Sequence, residues 1–304
     1  MAPWSIVFVG DRALVSERDT GRVLEVADRA TREVGTIPGV QARGEGGLLG
    51  LAVRDEHLYV YLTAGTENRI ERYELVGEPG AIGLGAREVI LDGLPAAGNH
   101  NGGRIAFGPD GMLYATAGDA GEPGLAQDRE SLGGKILRMT PDGEAPADNP
   151  FADSLVYSYG HRNPQGIAWA ADGTLYASEF GQDTWDELNV IEPGANYGWP
   201  QAEGIAGRGG MVDPILQWRP AEASPSGVVI VGDTLYLANL RGARLRAVPL
   251  DDPASATDHL VGEVGRVRDV VTAPGDELWI LTNNTDGRGA PGPGDDRIIS
   301  LGLR

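Results

Sequence analysis

Two loops gather the residue types that chemistry needs. One reads Asn99-His100-Asn101-Gly102-Gly103-Arg104 and is followed, past a short apolar stretch, by Gly118-Asp119-Ala120-Gly121. The other reads Gly160-His161-Arg162-Asn163-Pro164-Gln165-Gly166 and is followed by Ser178-Glu179-Phe180-Gly181-Gln182. Imidazole can serve as a general base near neutral pH, and guanidinium can stabilise developing negative charge. Each residue also has a bland alternative. A histidine in an Asn/Gly-rich loop is more often a turn residue, Asp119 could bond its own backbone, and Arg162 could stitch loops together. His161 reads as a structural hydrogen-bonder, and His57 and His259 as surface or strand residues. What favours chemistry is the convergence of His, Asp, Arg, Asn and Gly.

Gly265-Arg266-Val267-Arg268-Asp269 places two arginines at i and i+2, which on a strand share one side. Buried together, they need an acidic side chain or an anion. A structural carboxylate and a multiply carboxylated ligand are equally good readings, and Arg241 could add a third cation. The acidic stretch Gly181-Gln-Asp-Thr-Trp-Asp-Glu187 lacks EF-hand spacing, although carbonyls and a carboxylate there could still hold calcium. The chain has no H-E-x-x-H, P-loop or G-x-S-x-G motif, and no cysteine for thiolate chemistry, disulfides or Cys-based metal sites.

The elements that must carry these loops repeat. An apolar strand, a turn often built on Asp-Gly and a strand containing Leu-Tyr recur from near residues 4, 48, 104, 166, 227 and 267. Third strands are expected at Arg22–Val26, Arg69–Tyr73, Lys135–Met139, Glu187–Ile191, Arg244–Val248 and Arg297–Leu301, and fourth strands at 33–37, 88–91 and 155–159. Six equivalent units of this length predict an all-β fold: one six-bladed β-propeller over residues 1–304, with mostly four-stranded antiparallel blades. The chain opens on a first strand and ends just after a third. Either the closing blade has three strands, or the chain has been shortened. The loops at the starts of repeats three and four, and the ends of their second strands, fall on one mouth of the channel.

Composition agrees and excludes. Gly at 46 and Pro at 20 of 304 residues, with few aromatics, suit many short strands, and apolar runs recur too regularly for disorder. A net charge of −19, with Lys135 the only lysine, argues against nucleic acid and anionic membranes as partners. No apolar run reaches the ~18 residues of a membrane span, and Met1-Ala2-Pro3-Trp4 has no signal-peptide character.

The motifs Asn99-His-Asn-Gly-Gly-Arg104, Gly160-His-Arg-Asn-Pro-Gln-Gly166, Asp186-Glu-Leu-Asn189, Asn196-Tyr-Gly-Trp-Pro200 and Pro225-Ser-Gly227 together resemble the soluble quinoprotein glucose/aldose sugar dehydrogenases, in order and over essentially the whole chain. The resemblance implies a six-bladed propeller that oxidises the C1 hydroxyl of aldoses to the lactone, using pyrroloquinoline quinone (PQQ) and calcium. It implies that His100 is the general base, Asp119 its orienting carboxylate, and Arg162 a group polarising a quinone carbonyl, with Asn163 beside the cofactor. Arg266 and Arg268 match paired cofactor-binding arginines, and Arg241 stands where relatives often carry lysine. Calcium would be held by the carbonyls of Gly181 and Gln182, with a further ion near Glu187 and the Tyr197 carbonyl. Glu45 stands where some relatives place Gln near the sugar, and Trp218 is a candidate pocket wall.

The implied partners are an aldose and an unidentified electron acceptor, with monomer and dimer both open. The implied location is periplasmic or extracellular, with the signal sequence trimmed, or cytoplasmic if Met1 is the native start. Two rival readings remain: a calcium-dependent lactonase-type hydrolase, and a non-enzymatic binding propeller. A lactonase has no use for three converging arginines, and a lapsed enzyme need not keep His100 and Arg162.

Overall fold

The computed structural model describes residues 2–27 and 30–302; Met1, where the reading of the N-terminus begins, lies outside them. Strands pair with their sequence neighbours, as alternating apolar patterns joined by tight turns require. The result is six antiparallel sheets. Five have four strands, spanning 3–36, 48–95, 105–159, 164–218 and 225–259. The sixth has three strands among the described residues: Val267–Ala273, Glu277–Thr282 and Ile298–Gly302. These are the blades of the six-bladed propeller expected from the repeats, the closing blade being the short one. Among the described residues no helix is long and apolar enough to cross a membrane.

The first strand of each blade lies innermost, and these six strands contact one another in a closed ring, with that of blade six beside that of blade one. The ring is tight because small residues line it. A Cβ at Gly50, Gly166 or Gly227 would lie 2.2, 2.2 or 2.0 Å from an atom of the neighbouring blade. Apolar clusters fill the gaps between blades, each joining faces of successive sheets.

Blades one and six share no hydrogen-bonded strand. They are joined by packing of Ile6, Ala13, Val15 and Leu281, and by an edge-on contact of Phe8 with Trp279 at 5.3 Å between ring centres. Two side chains latch the seam: Asp269 Oδ2 accepts the Ile6 N–H at 3.0 Å, and Asn283 Nδ2 donates to the Pro3 carbonyl. Inside the channel, Asp269 also accepts from Arg104 Nη1 at 3.0 Å, and the Arg104 guanidinium lies 4.3 Å from the Trp4 ring centre.

Candidate active site

Each inner strand starts at one face of the ring, and each second strand returns to it. The loops singled out above therefore meet. The Asp119 N–H donates to the Arg162 carbonyl at 2.8 Å, and Asn163 Oδ1 accepts the Gly102 N–H at 3.0 Å, tying blade three to blade four.

His100 sits at φ +53°, a conformation disfavoured for a residue with a side chain unless its surroundings impose it. Several contacts do so. Its carbonyl accepts from Ala120 at 3.1 Å, its N–H donates to Glu45 Oε2 at 3.1 Å, and its ring Nδ1 meets Asp119 Oδ1 at 2.7 Å. Gly118 must lack a side chain, since a Cβ there would fall 2.0 Å from the His100 carbonyl oxygen.

Asp119 is fully buried. Burial works to raise its carboxyl, but hydrogen bonds from His100, the Gly121 N–H at 2.8 Å and Trp199 Nε1 at 2.8 Å hold it below its ordinary value. An ionised Asp119 can only accept, so Nδ1 carries the ring proton and Nε2 keeps its lone pair. The geometry leaves Nε2 as an acceptor facing away from Asp119.

Arg162 and Asn163 are fixed from beneath by Glu179, whose Oε1 accepts both backbone N–H groups, the second at 3.2 Å. Glu179 is itself held by His161 at 2.8 Å, and His161 by Ser158 at 2.8 Å, with the His161 ring stacked on Tyr197. His161 is thus structural, as its sequence position suggested. Arg162 Nη1 donates to the Gly181 carbonyl at 2.6 Å, while Arg162 Nε and Asn163 Nδ2 are buried donors without a partner among the described residues.

The two arginines of blade six divide the readings left open for them. Arg266 has a carboxylate partner, Asp286 Oδ2 at 2.9 Å from Nη2. Among the described residues Arg268 has none; its Nη1 meets neutral Gln165 Oε1 at 3.0 Å and Ser226 Oγ at 3.2 Å, and its Nε is left without a partner there. Burial, and then neighbouring Arg266 and Arg18, hold its guanidinium well below its usual range, at about 9. Arg268 remains charged at neutral pH, so an anion here would remove a standing electrostatic cost. Exposed Arg241 shares with Arg266 and Arg288 a cleft of about 490 Å³ on this face.

Of the residues considered for metal, Gly181, Glu187 and Tyr197 line one small, partly open cavity of about 10 Å³, the size of a single water or ion. Gln182 lies at its edge in sequence, and its N–H, with those of Thr184 and Trp185, donates to Glu203 Oε1 at 2.9 Å. Among the described residues, no group of three or more His, Cys, Asp or Glu side chains is placed to hold a metal ion.

Burial, and then the charge of Glu179, push the Glu187 carboxyl up to about 8. Because its folded value lies above the ordinary 4.5, the folded chain keeps this proton longer than the unfolded chain does. Without divalent cations, stability is expected to be highest below about pH 4.5 at this site and to fall as pH rises to about 8. Glu187→Gln should flatten that slope, as followed by thermal melts across this range.

Glu45, considered for the sugar site, accepts the His100 N–H. Trp218 lies elsewhere: on the outermost strand of blade four, with Arg246 4.6 Å from its ring centre. Sequence reasoning gave no role to Trp199, Asp269, Asp286 or Arg288, although the first two stand inside motifs it quoted. Their partners are 80 or more residues away for Trp199 and Asp269, and nothing local marks them.

A solved PQQ-bound aldose sugar dehydrogenase from Streptomyces coelicolor is 51% identical to this chain, with a TM-score of 0.94, covering 98% of this chain and 93% of that one. Aldose sugar dehydrogenase YliI of Escherichia coli is 28% identical over 94% of this chain and 88% of its own. Quinoprotein glucose dehydrogenase B of Acinetobacter calcoaceticus is 33% identical over 62% of this chain and 48% of its own. The family model for glucose/sorbosone dehydrogenases matches residues 1–290, and the chain belongs to that family.

Proposed function

We propose that this protein oxidises the C1 hydroxyl of aldose sugars to the lactone, with PQQ as cofactor and His100 as general base. The observation that carries this reading is the oriented His100–Asp119–Trp199 relay on the same loops as the unpartnered donors of Arg162 and Asn163. The relatives described above support it. When bound, PQQ supplies the two-electron oxidant that accepts hydride from the sugar C1. Its carboxylates and carbonyl oxygens suit buried guanidinium and amide donors, and Arg268, Arg266, Arg162, Asn163 and Arg241 would hold it. Calcium would take the carbonyls of Gly181 and Gln182, with Arg162 yielding the Gly181 oxygen to it. The small cavity at Glu187 and Tyr197 would suit a second ion, as hard cations prefer oxygen donors.

In this scheme His100 Nε2 removes the C1 hydroxyl proton, and Asp119 stabilises the resulting imidazolium without taking that proton. Arg162 stabilises negative charge developing opposite the sugar. The buried relay behind the ring excludes water and limits its rotation.

The test is reconstitution of the purified chain with PQQ and calcium, followed by dye reduction with a panel of aldoses. Sugar-dependent reduction lost on omitting either component is expected. Tight PQQ binding with no turnover on any aldose would reject the substrate class. Failure to bind PQQ would favour a hydrolase or a binding module.

A further inference from the structure

The loop between the second and third strands of blade six, 283–297, carries four glycines and two prolines and forms neither strand nor helix. It is nevertheless held in place. Asn284 Oδ1 accepts the Arg266 N–H at 2.8 Å, and Asp286 Oδ2 accepts from the Arg266 side chain at 2.9 Å. Asp286 Oδ1 then accepts the Arg288 N–H at 2.8 Å. Arg288 Nη1 reaches across the channel mouth to Glu45 Oε1 at 2.8 Å, and Glu45 Oε2 accepts the His100 N–H at 3.1 Å. The Glu45 N–H also donates to Gly98 at 2.9 Å, so Glu45 grips the His100 segment at two points.

A chain of charged hydrogen bonds thus runs from an arginine of blade six to the histidine of blade three, over the mouth rather than through the inner strands. We propose that Arg288 is a positioning residue for sugar oxidation: through Glu45 it holds the His100 backbone in the orientation that presents Nε2, and it links that orientation to Arg266. This rests on the function proposed above.

The physical case turns on unequal exposure. The Arg288 side chain is 54% exposed, so as a surface ion pair it adds little to folding stability. The Glu45 side chain is only 20% exposed. Burial works to raise its carboxyl, but Arg288, and then the His100 N–H, bring it below its ordinary value. Deprived of Arg288, a mostly buried carboxylate lowers its energy by turning to solvent or taking up a proton, and either change loosens its hold on the His100 N–H. His100 then keeps its side-chain tie to Asp119 but loses a tie that enforces its left-handed backbone.

The experiment uses the PQQ- and calcium-loaded protein with variants Arg288→Ala, Arg288→Lys, Glu45→Gln and the double variant Arg288→Ala/Glu45→Gln. Arg288→Ala is expected to lower kcat by roughly 10- to 100-fold, the scale of a small misplacement of a reacting group, with sugar KM, PQQ affinity and melting temperature essentially unchanged. Arg288→Lys should restore most of kcat. The double variant should be no slower than the worse single one, since both changes cut one connection. Unchanged kcat in Arg288→Ala, a loss confined to KM, or additive losses would each overturn the proposal.

The chain has four histidines, so the His100 imidazole can also be followed by NMR without turnover. Arg288→Ala should shift its signals and leave those of His161 in place. If the wild type shows no turnover, the functional reading fails. If the His100 signals do not move, this inference fails independently.

Discussion

Replacing His100 with alanine is expected to lower sugar oxidation by about 10²- to 10⁴-fold while PQQ binding stays within a few-fold of the wild type. The reason lies in the division of labour at the mouth. Arg162, Asn163 and Arg268 offer the buried donors that lack partners, whereas His100 offers a lone pair on Nε2 because Asp119 accepts from Nδ1. Removing the ring takes away the proposed base and leaves the donors in place. Asp119→Asn separates position from charge. An asparagine amide can donate to Nδ1, which moves the ring proton to Nε2 and removes the lone pair, so a loss of comparable size is expected. Trp199→Phe deletes one of the hydrogen bonds on Asp119 and should cost much less, about tenfold. Steady-state kinetics with PQQ titrated by absorbance distinguish these cases. A His100→Ala enzyme with wild-type kcat would remove the histidine from the chemistry and return it to the status of a turn residue.

The second large effect concerns stability, since Asp269→Ala should destabilise the fold by about 3–5 kcal/mol. Asp269 is buried, and burial raises its carboxyl against the opposing pull of Arg104. It accepts the Ile6 N–H across the seam between blades one and six, and it is the carboxylate bonded to Arg104, with Arg268 charged close by. Its removal opens the seam and leaves the buried Arg104 guanidinium without its carboxylate. At roughly 2–4 °C per kcal/mol for large domains, the melting temperature should fall by about 10 °C. Asp269→Asn keeps an acceptor for Ile6 but loses the charge, and should lie between the two. A combined Arg104→Met and Asp269→Leu exchange should recover much of the loss, because a buried pair removed whole leaves no orphaned charge. Melts of the four proteins decide the matter. Equal melting temperatures for Asp269→Ala and wild type would mean that apolar packing alone closes the ring.

That closure shows where local sequence stops being informative. The repeats were legible because a blade pairs strands that are neighbours in the chain, so alternation, Asp-Gly turns and unit length are all written within about 60 residues. How blade six meets blade one depends on Ile6 and Asp269, 263 residues apart, and on the packing of Phe8 against Trp279.

The site divides in the same way. The sequence by itself indicated which loops bring the candidate groups together: His100 and Asp119 on repeat three, Arg162, Asn163 and Gly181 on repeat four, and Arg266 and Arg268 on repeat six. Residue type and repeat position suffice for that, since every repeat presents the same ends to the same face. Only the tertiary structure decided which groups are partnered. It gives Arg266 a carboxylate and leaves Arg268 without one, puts Trp199 on Asp119, sends Trp218 to the outer edge, and brings Arg288 to Glu45. Hydrogen-bond partners in a ring of blades are set by the angle between blades and the depth of the channel. Those are properties of the closed ring, and no single repeat contains them.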